Sequence, residues 1–390
     1  MKRLLIIVLL VWAVIVGWLV LSPAPNAPQF KAVGAAQLPS YQTLYYNFLQ
    51  ERPFNGGKMW LSLFDGTNYA WYLYDIEQRK MLGELRGGWP AFSDNDHSQV
   101  FCATAEKHTP VVDRIFRLFT SGAVRTENIE TFWLLDLRRN SVKRLGEMRH
   151  SAGASSFAKP SPDFRFAFSQ IMPPPQKGPN MYLFDLERKS SRSVKIDGWT
   201  PGWWDDERLL FQDGTNDFYL CHVPSGRISP LLQRANILAF LNRHGIDHKG
   251  ALTMFSSWNG NENVFYVTDG YQKWLAADSV LIRVERPDAR LTLLSPNFKF
   301  EWSDHFDHSQ RYYLYSGRET NQGSDGVFLR DLRTQTETTL VAPNGERYFS
   351  VPNFYGDKVI YVRRRKELWQ TDLTGSNQIR LFPPVKAGTE

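Results

Sequence analysis

The sequence predicts an all-β fold, a seven-bladed β-propeller preceded by one transmembrane helix, and three observations carry that expectation. The chain opens on a long uncharged apolar run. Short aromatic and aliphatic strands ending in Asp-Leu or Asp-Ile recur along the remainder. Ahead of most of them stands a second recurring element, a polar turn leading into a strongly apolar strand, which brings each unit to four strands.

The apolar run, LLIIVLLVWAVIVGWLVL from Leu4 to Leu21, is 18 residues long and follows Met1-Lys2-Arg3. As a helix it measures about 27 Å, close to the roughly 30 Å hydrocarbon core of a bilayer. A soluble helix keeps one polar face and this segment has none. The prolines of Ala24-Pro25-Asn26-Ala27-Pro28 disfavour the extended substrate a signal protease needs, so residues 1–22 read as an uncleaved signal anchor. Lys2 and Arg3 place the amino terminus in the cytoplasm and the bulk of the chain outside it, periplasmic or extracellular. Residues 23–40, with Pro23, Pro25, Pro28 and Pro39, read as a tether, and residues 41–390 as the propeller. The absence of any Asn-x-Ser/Thr sequon favours a bacterial envelope over a glycosylated ectodomain.

The first repeated element is clearest in YAWYLYDIEQRK, TFWLLDLRRN, NMYLFDLERK, DGVFLRDLRT and ELWQTDLTG. Degenerate copies are DFYLCHVPSG and SVLIRVERPD. Their anchor positions, Asp75, Asp136, Asp185, Val223, Val284, Asp331 and Asp372, lie about 50 residues apart on average, the length of a four-stranded blade. A count of six or eight blades also fits that spacing. The second element appears in WPAFSDNDHSQVF, FAKPSPDFRFAFS, TPGWWDDERLLF, FEWSDHFDHSQRYYL and VPNFYGDKVIYV, and Gly88-Trp89-Pro90 parallels Gly198-Trp199-Thr200-Pro201. The first unit lacks an obvious innermost strand, which Tyr41 to Leu49 either supplies or offers to the last blade. Two stretches exceed a bare blade, 103–131 and 233–260, and both contain apolar residues at helical spacing: Val111, Val112, Ile115, Phe116 and Phe119, then Ile237, Leu238, Phe240 and Leu241.

The segment SPDFRFAFS from Ser161, followed by MYLFDLERKSSRSVKI, resembles the repeat of TolB-type, WD40-like β-propellers, and the likeness extends loosely from about Lys58 to Phe382. Phe164 stands where that family prefers glycine. The resemblance implies a disc of radial sheets, often in a periplasmic protein that binds other proteins.

Composition excludes several functions. With 42% hydrophobic and 14% aromatic residues the chain is folded rather than disordered. Two cysteines, Cys102 and Cys221, without a C-x-x-C pair, rule out a disulfide scaffold, an iron–sulfur cluster and a cysteine-built zinc site, and composition offers no cofactor. The net charge of +6 is too small and too scattered to argue for nucleic acid as a partner. P-loop, G-x-G-x-x-G and G-x-S-x-G motifs are all missing.

The densest titratable groups are Asp304, His305, Asp307 and His308, with Asp96 and His97 in the corresponding element of an earlier unit. Carboxylates and imidazoles at this density can bind a ligand, hold a divalent metal or act as acid and base. The same frame holds Asp and Ser in other units, where a side-chain oxygen satisfies turn N–H groups, and turn architecture is the favoured reading. His244 and His248 share H-x-x-x-H spacing without the glutamate of H-E-x-x-H. Ser156 and Lys159 match S-x-x-K, at chance frequency. Trp89, Trp199, Trp203, Trp204 and Trp302 fit packing between blades better than a sugar-stacking platform. Arg363-Arg364-Arg365-Lys366 reads as a basic hairpin turn, a solvated edge or a contact for anionic lipid. The function expected is a membrane-anchored scaffold that binds an envelope protein, peptide or polymer, with the bilayer itself contacted through Leu4 to Leu21. The alternative is a carbohydrate lyase or hydrolase with Asp and His converging on the central channel.

Overall fold

The computed structural model describes residues 26–33, 40–47, 57–94, 98–108, 127–151, 155–172, 179–196, 198–247, 251–255, 262–268, 278–299, 304–307, 309, 311–319, 324–342 and 352–383. These form seven antiparallel sheets, each a meander of four consecutive strands, spanning 43–86, 89–151, 155–194, 199–232, 251–299, 304–341 and 353–382. Each meander runs from the inside outward. In the third sheet the second strand, Phe166–Met172, is buried almost throughout, whereas the fourth, Ser190–Val194, is serine-rich and exposed.

A sheet with two apolar faces must cover both, and each sheet here does so against its neighbours. One cluster joins Trp60 and Leu73 of the first sheet to Phe101 and Phe132 of the second and Phe184 of the third. Phe168 and Leu183 of the third pack on Trp203 and Leu209 of the fourth; Leu210 and Phe218 of the fourth pack near Val280 and Ile282 of the fifth. Leu281 of the fifth meets Tyr313 of the sixth, and Leu314 and Leu329 of the sixth meet Val359 and Tyr361 of the seventh. The cycle closes where Ile360, Leu368 and Phe382 of the seventh sheet pack on Met59, Leu61 and Tyr74 of the first.

That closure uses faces rather than a shared strand, because the first and last sheets are each built from their own four strands. Phe382 is fully buried between Tyr41 and Tyr74, with ring centroids 5.8 and 5.5 Å away. The Tyr74 hydroxyl donates to the Leu381 carbonyl at 2.6 Å. From the innermost strand of the first sheet the Leu44 N–H donates to the Arg365 carbonyl at 2.6 Å, and just ahead of that strand the Tyr41 hydroxyl donates to the Lys366 carbonyl at 2.9 Å. Burial pushes the Tyr41 phenol up to about 12, so it stays a donor throughout the physiological range.

The meanders define two faces. Turns between first and second and between third and fourth strands lie on the lower face. Turns between second and third strands, and the links between sheets, lie on the upper face. The helix α1 (Arg234–Arg243) sits in the upper link between the fourth and fifth sheets, with Ile237, Phe240 and Leu241 buried beside Trp204 and Ile282, as their spacing predicts. The other helical spacing, Val111 to Phe119, lies outside the described residues; strands of ten residues each, Gln99–His108 and Glu127–Asp136, flank it. Thr43–Asn47 supplies the innermost strand of the first sheet, pairing with Lys58–Phe64.

Two expectations need correction. Residues 23–40 are not simply a tether: Gln29–Ala32 adds a fifth strand to the outer edge of the first sheet, antiparallel to Lys80–Arg86. The cause is Gly83, whose missing side chain leaves room for Phe30; a Cβ there would stand 2.0 Å from the Phe30 ring, which meets Trp60 edge-on at 6.2 Å. In the fourth and fifth sheets the anchor positions are His222 and Glu285 rather than Val223 and Val284. Register pairs His222 with Arg227 and Glu285 with Arg290, just as Asp75 pairs with Lys80. The anchor segment 1–22 lies outside the described residues, and among the described residues no helix is long and apolar enough to cross a membrane.

Candidate functional site

The lower face is a ring of turns closed by carboxylates. The Asp75, Asp136 and Asp185 carboxylates accept the N–H groups of Gln78, Arg139 and Arg188 at 2.7, 2.9 and 2.8 Å. Asp331 accepts from the Arg333 N–H at 2.8 Å and Asp372 from the Thr374 N–H at 3.0 Å. The chain then turns through a left-handed residue four positions after the anchor: Arg79, Asn140, Lys189, Gly226, Ala289 and Gln335 all have φ between 47 and 73°. The anchors therefore serve the fold.

The Asp and His candidates divide accordingly. Asp307 is a turn former: its carboxylate accepts the Tyr312 N–H at 2.6 Å and the Ser309 N–H at 3.1 Å. Asp94 does the same for the Gln99 N–H at 2.9 Å. Asp304 and His305 occupy the innermost strand of the sixth sheet, Asp304–Phe306, paired with Tyr315 and Leu314. Asp96, His97 and His308 lie outside the described residues. The two DHSQ turns belong to the second and sixth sheets, three steps apart around the ring by the shorter way. Among the described residues no three His, Cys, Asp or Glu side chains gather as metal ligands would. Of the H-x-x-x-H pair, His244 ends α1 with its Nδ1 2.9 Å from the Phe240 carbonyl, and His248 is outside the described residues. Trp203 and Trp204 are buried in packing, and Trp89 is half-buried against the first cluster; Trp302 and the Trp199 side chain are outside the description. Cys102 and Cys221 are separate, buried thiols, both pushed up by burial and thus unreactive.

What the structure builds instead centres on the Ser161–Arg165 turn of the third sheet. The Ser161 hydroxyl donates to Asp163 at 2.6 Å and accepts the Phe166 N–H at 2.9 Å, while Asp163 accepts the Arg165 N–H at 3.0 Å. Phe164, at φ 63°, holds a left-handed position that glycine adopts more readily, and its ring meets Phe92 of the second sheet edge-on at 5.5 Å. That contact offsets the backbone cost of about 1 kcal/mol or more. The turn is thereby rigid and wedged between sheets.

On either side of it lies a depression. The first, open and about 750 Å³, is lined by Asp94, Asp163, Arg165, Glu187 and Lys189. The second, about 210 Å³, lies between the third and fourth sheets, with Phe166, Leu183 and Phe184 in its wall and Arg165, Arg188, Arg192 and Ser191 at its polar lining. Arg165 lies over the Phe166 ring at 4.9 Å and pairs with Glu207 at 3.0 Å, which in turn stands 3.2 Å from His222 Nε2. Arg188 is 3.8 Å from the Asp185 carboxylate. Arg192 donates to the Val223 carbonyl, and among the described residues it has no carboxylate partner. The smaller cavity thus holds more guanidinium than carboxylate charge, on a preorganised frame, and suits an anionic group with an apolar neighbour. Sequence reasoning found the Ser-Pro-Asp turn as a fold signature and missed the arginines, because they lie on two turns and the outer strand of the third sheet and meet only when its strands pair.

A related charge pair supplies a pH test. Arg311 donates through Nε and Nη2 to one oxygen of Asp331, at 2.9 and 2.6 Å, and holds that carboxyl down to about 2. The folded state therefore favours the ionised form. The resulting stability is fully present above about pH 4, the unfolded value, and is lost as pH falls towards 2. In Asp331→Asn, urea midpoints measured from pH 5 to pH 2 should fall less steeply than in the parent, from a lower starting value. Parallel curves would refute the assignment.

Comparison with solved structures bears on the fold. The β-propeller domain of the Trilobed protease from Pyrococcus furiosus, described as having an open velcro topology, matches with a TM-score of 0.54 at 12% identity, over 89% of this chain and all of that one. An oligogalacturonate lyase in complex with manganese matches with a TM-score of 0.50 at 12% identity, over 82% of this chain and 86% of that one. TolB from Acinetobacter baumannii aligns over 80% of this chain and 76% of that one at 16% identity, but its TM-score of 0.38 carries no argument. These likenesses show a β-propeller fold and leave activity aside. No protein-family model matches the chain, and no curated protein matches it in sequence.

Proposed function

We propose that the seven sheets are the blades of one closed propeller, held at the outer side of a membrane by residues 1–22, and that it works as a binding scaffold. Its lower-face cavity beside Ser161–Arg165 would take an acidic group of an envelope protein or polymer. The observation that carries this reading is Arg192, which lines a cavity with Arg165 and Arg188 and has no carboxylate partner among the described residues. The frame around it is fixed by turn hydrogen bonds, so little ordering opposes binding. The lyase or hydrolase alternative lacks such support: Asp307 is engaged in its turn, and the likeness to the oligogalacturonate lyase is one of fold.

Isothermal titration of the full chain with poly-L-glutamate and with polygalacturonate tests the site. Affinity should weaken roughly tenfold or more in Arg188→Ser/Arg192→Ser, with a shallower salt dependence. Unchanged affinity would remove the cavity from consideration. Cleavage of polygalacturonate by the parent chain would favour the enzyme instead.

A further inference from the structure

We infer that the upper face at the junction of the first and seventh sheets is a docking surface for anionic lipid headgroups, an inference that rests on the anchored reading of residues 1–22. Gln29 pairs with Arg86 at the upper end of the fourth strand of the first sheet, so the chain enters the fold from that face. Only seven residues separate Leu21 from Gln29. Fully extended, they reach about 25 Å, so the rim of the first sheet cannot stand far from the bilayer.

The residues presented there suit such a neighbour. Tyr69 is 57% exposed and Tyr45 39%, the two exposed aromatic rings among the described residues; they lie 6.1 Å apart, with Phe64 4.6 Å from Tyr69. Across the junction, Arg364, Arg365 and Lys366 are exposed in the turn between Lys358–Arg363 and Glu367–Asp372. Arg364 and Arg365 both adopt left-handed conformations, at φ 55 and 60°, which place two side chains outward where glycine or asparagine is usual. The turn is pinned to the first sheet through the Leu44 and Tyr41 hydrogen bonds, so cations and rings keep a fixed spacing. Tyrosines at headgroup depth beside a basic cluster are what an anionic membrane interface attracts. The lower-face cavity then points away from the lipid.

The test places a fluorophore on Thr67→Cys, in the upper turn of the first sheet, or on Gln78→Cys, in its lower turn. Cys102 and Cys221 are buried and stay unlabelled. The full chain is reconstituted into phosphatidylcholine vesicles with or without phosphatidylglycerol, and headgroup spin-labelled lipid is the quencher. The two turns are separated by a seven-residue strand, roughly 23 Å, so quenching at position 67 should exceed that at 78 by on the order of threefold. Phosphatidylglycerol should enhance it, and Arg364→Glu/Arg365→Glu should abolish the enhancement. Equal quenching at both sites, or none that depends on phosphatidylglycerol, overturns the docking surface while the chain remains resistant to alkaline carbonate extraction. Release by carbonate overturns the anchored reading itself, and the docking inference with it.

Discussion

Phe382→Ala should cost about 3–5 kcal/mol and open the ring at one joint. The side chain is fully buried and stands between Tyr41 and Tyr74, so its removal leaves a cavity where the last sheet meets the first. No shared strand bridges that joint, so the Leu44 to Arg365 backbone bond is left to hold it without a strand ladder when face packing is lost. Urea denaturation should show the lowered stability. Native-state hydrogen exchange should show faster exchange in Lys58–Phe64 and Lys358–Arg363 together, while Phe166–Met172, across the disc, keeps its protection. If the loss were spread evenly over all seven sheets, the joint would not be the independent seam described.

Gly198→Ala should destabilise by about 3 kcal/mol or more, and Gly214→Ala by almost nothing. A Cβ at Gly198 would lie 2.0 Å from the Gln212 carbonyl oxygen and 2.9 Å from its carbon, both backbone atoms that no rotamer change can move. At Gly214 nothing lies within 4 Å. Thermal or urea unfolding of the two variants side by side checks the contrast, and equal stabilities would contradict it. The same geometry explains a sequence parallel. Gly88 precedes Trp89 as Gly198 precedes Trp199, and a Cβ at Gly88 would lie 2.7 Å from the Ala103 carbonyl. In both sheets the chain crosses to its innermost strand against the backbone of the second, paired at Trp89 with Ala103 and at Trp199 with Gln212.

Much of the fold was legible in the sequence because each sheet repeats one local device. An apolar strand ends in a carboxylate that binds its own turn, and Asp75, Asp136, Asp185, Asp331 and Asp372 all do this. Where the device changes chemistry, reading by residue type slips by one position. His222 Nδ1 meets Ser225 Oγ at 2.7 Å, and Glu285 pairs with Arg290, filling the anchor role without an aspartate. The strand Gln29–Ala32 was hidden for a different reason. Its prolines and polar neighbours read as linker, and the vacancy that receives Phe30 is at Gly83, more than fifty residues on. The arginine-lined cavity was illegible because Arg165 comes from a turn and Arg192 from the outermost strand of the third sheet, and Val223 from the fourth sheet.

Closing the ring without a shared strand sets an order of events on the ribosome. Each sheet is complete once its own four strands have emerged, and each can settle on the one before it. The flank of the first sheet formed by Met59, Leu61 and Tyr74 has no such successor; its cover arrives only with residues 353–382. At about 5–20 residues per second, that flank stays wet for roughly 15 to 60 seconds of translation, an interval in which a chaperone or a neighbouring nascent chain competes for it.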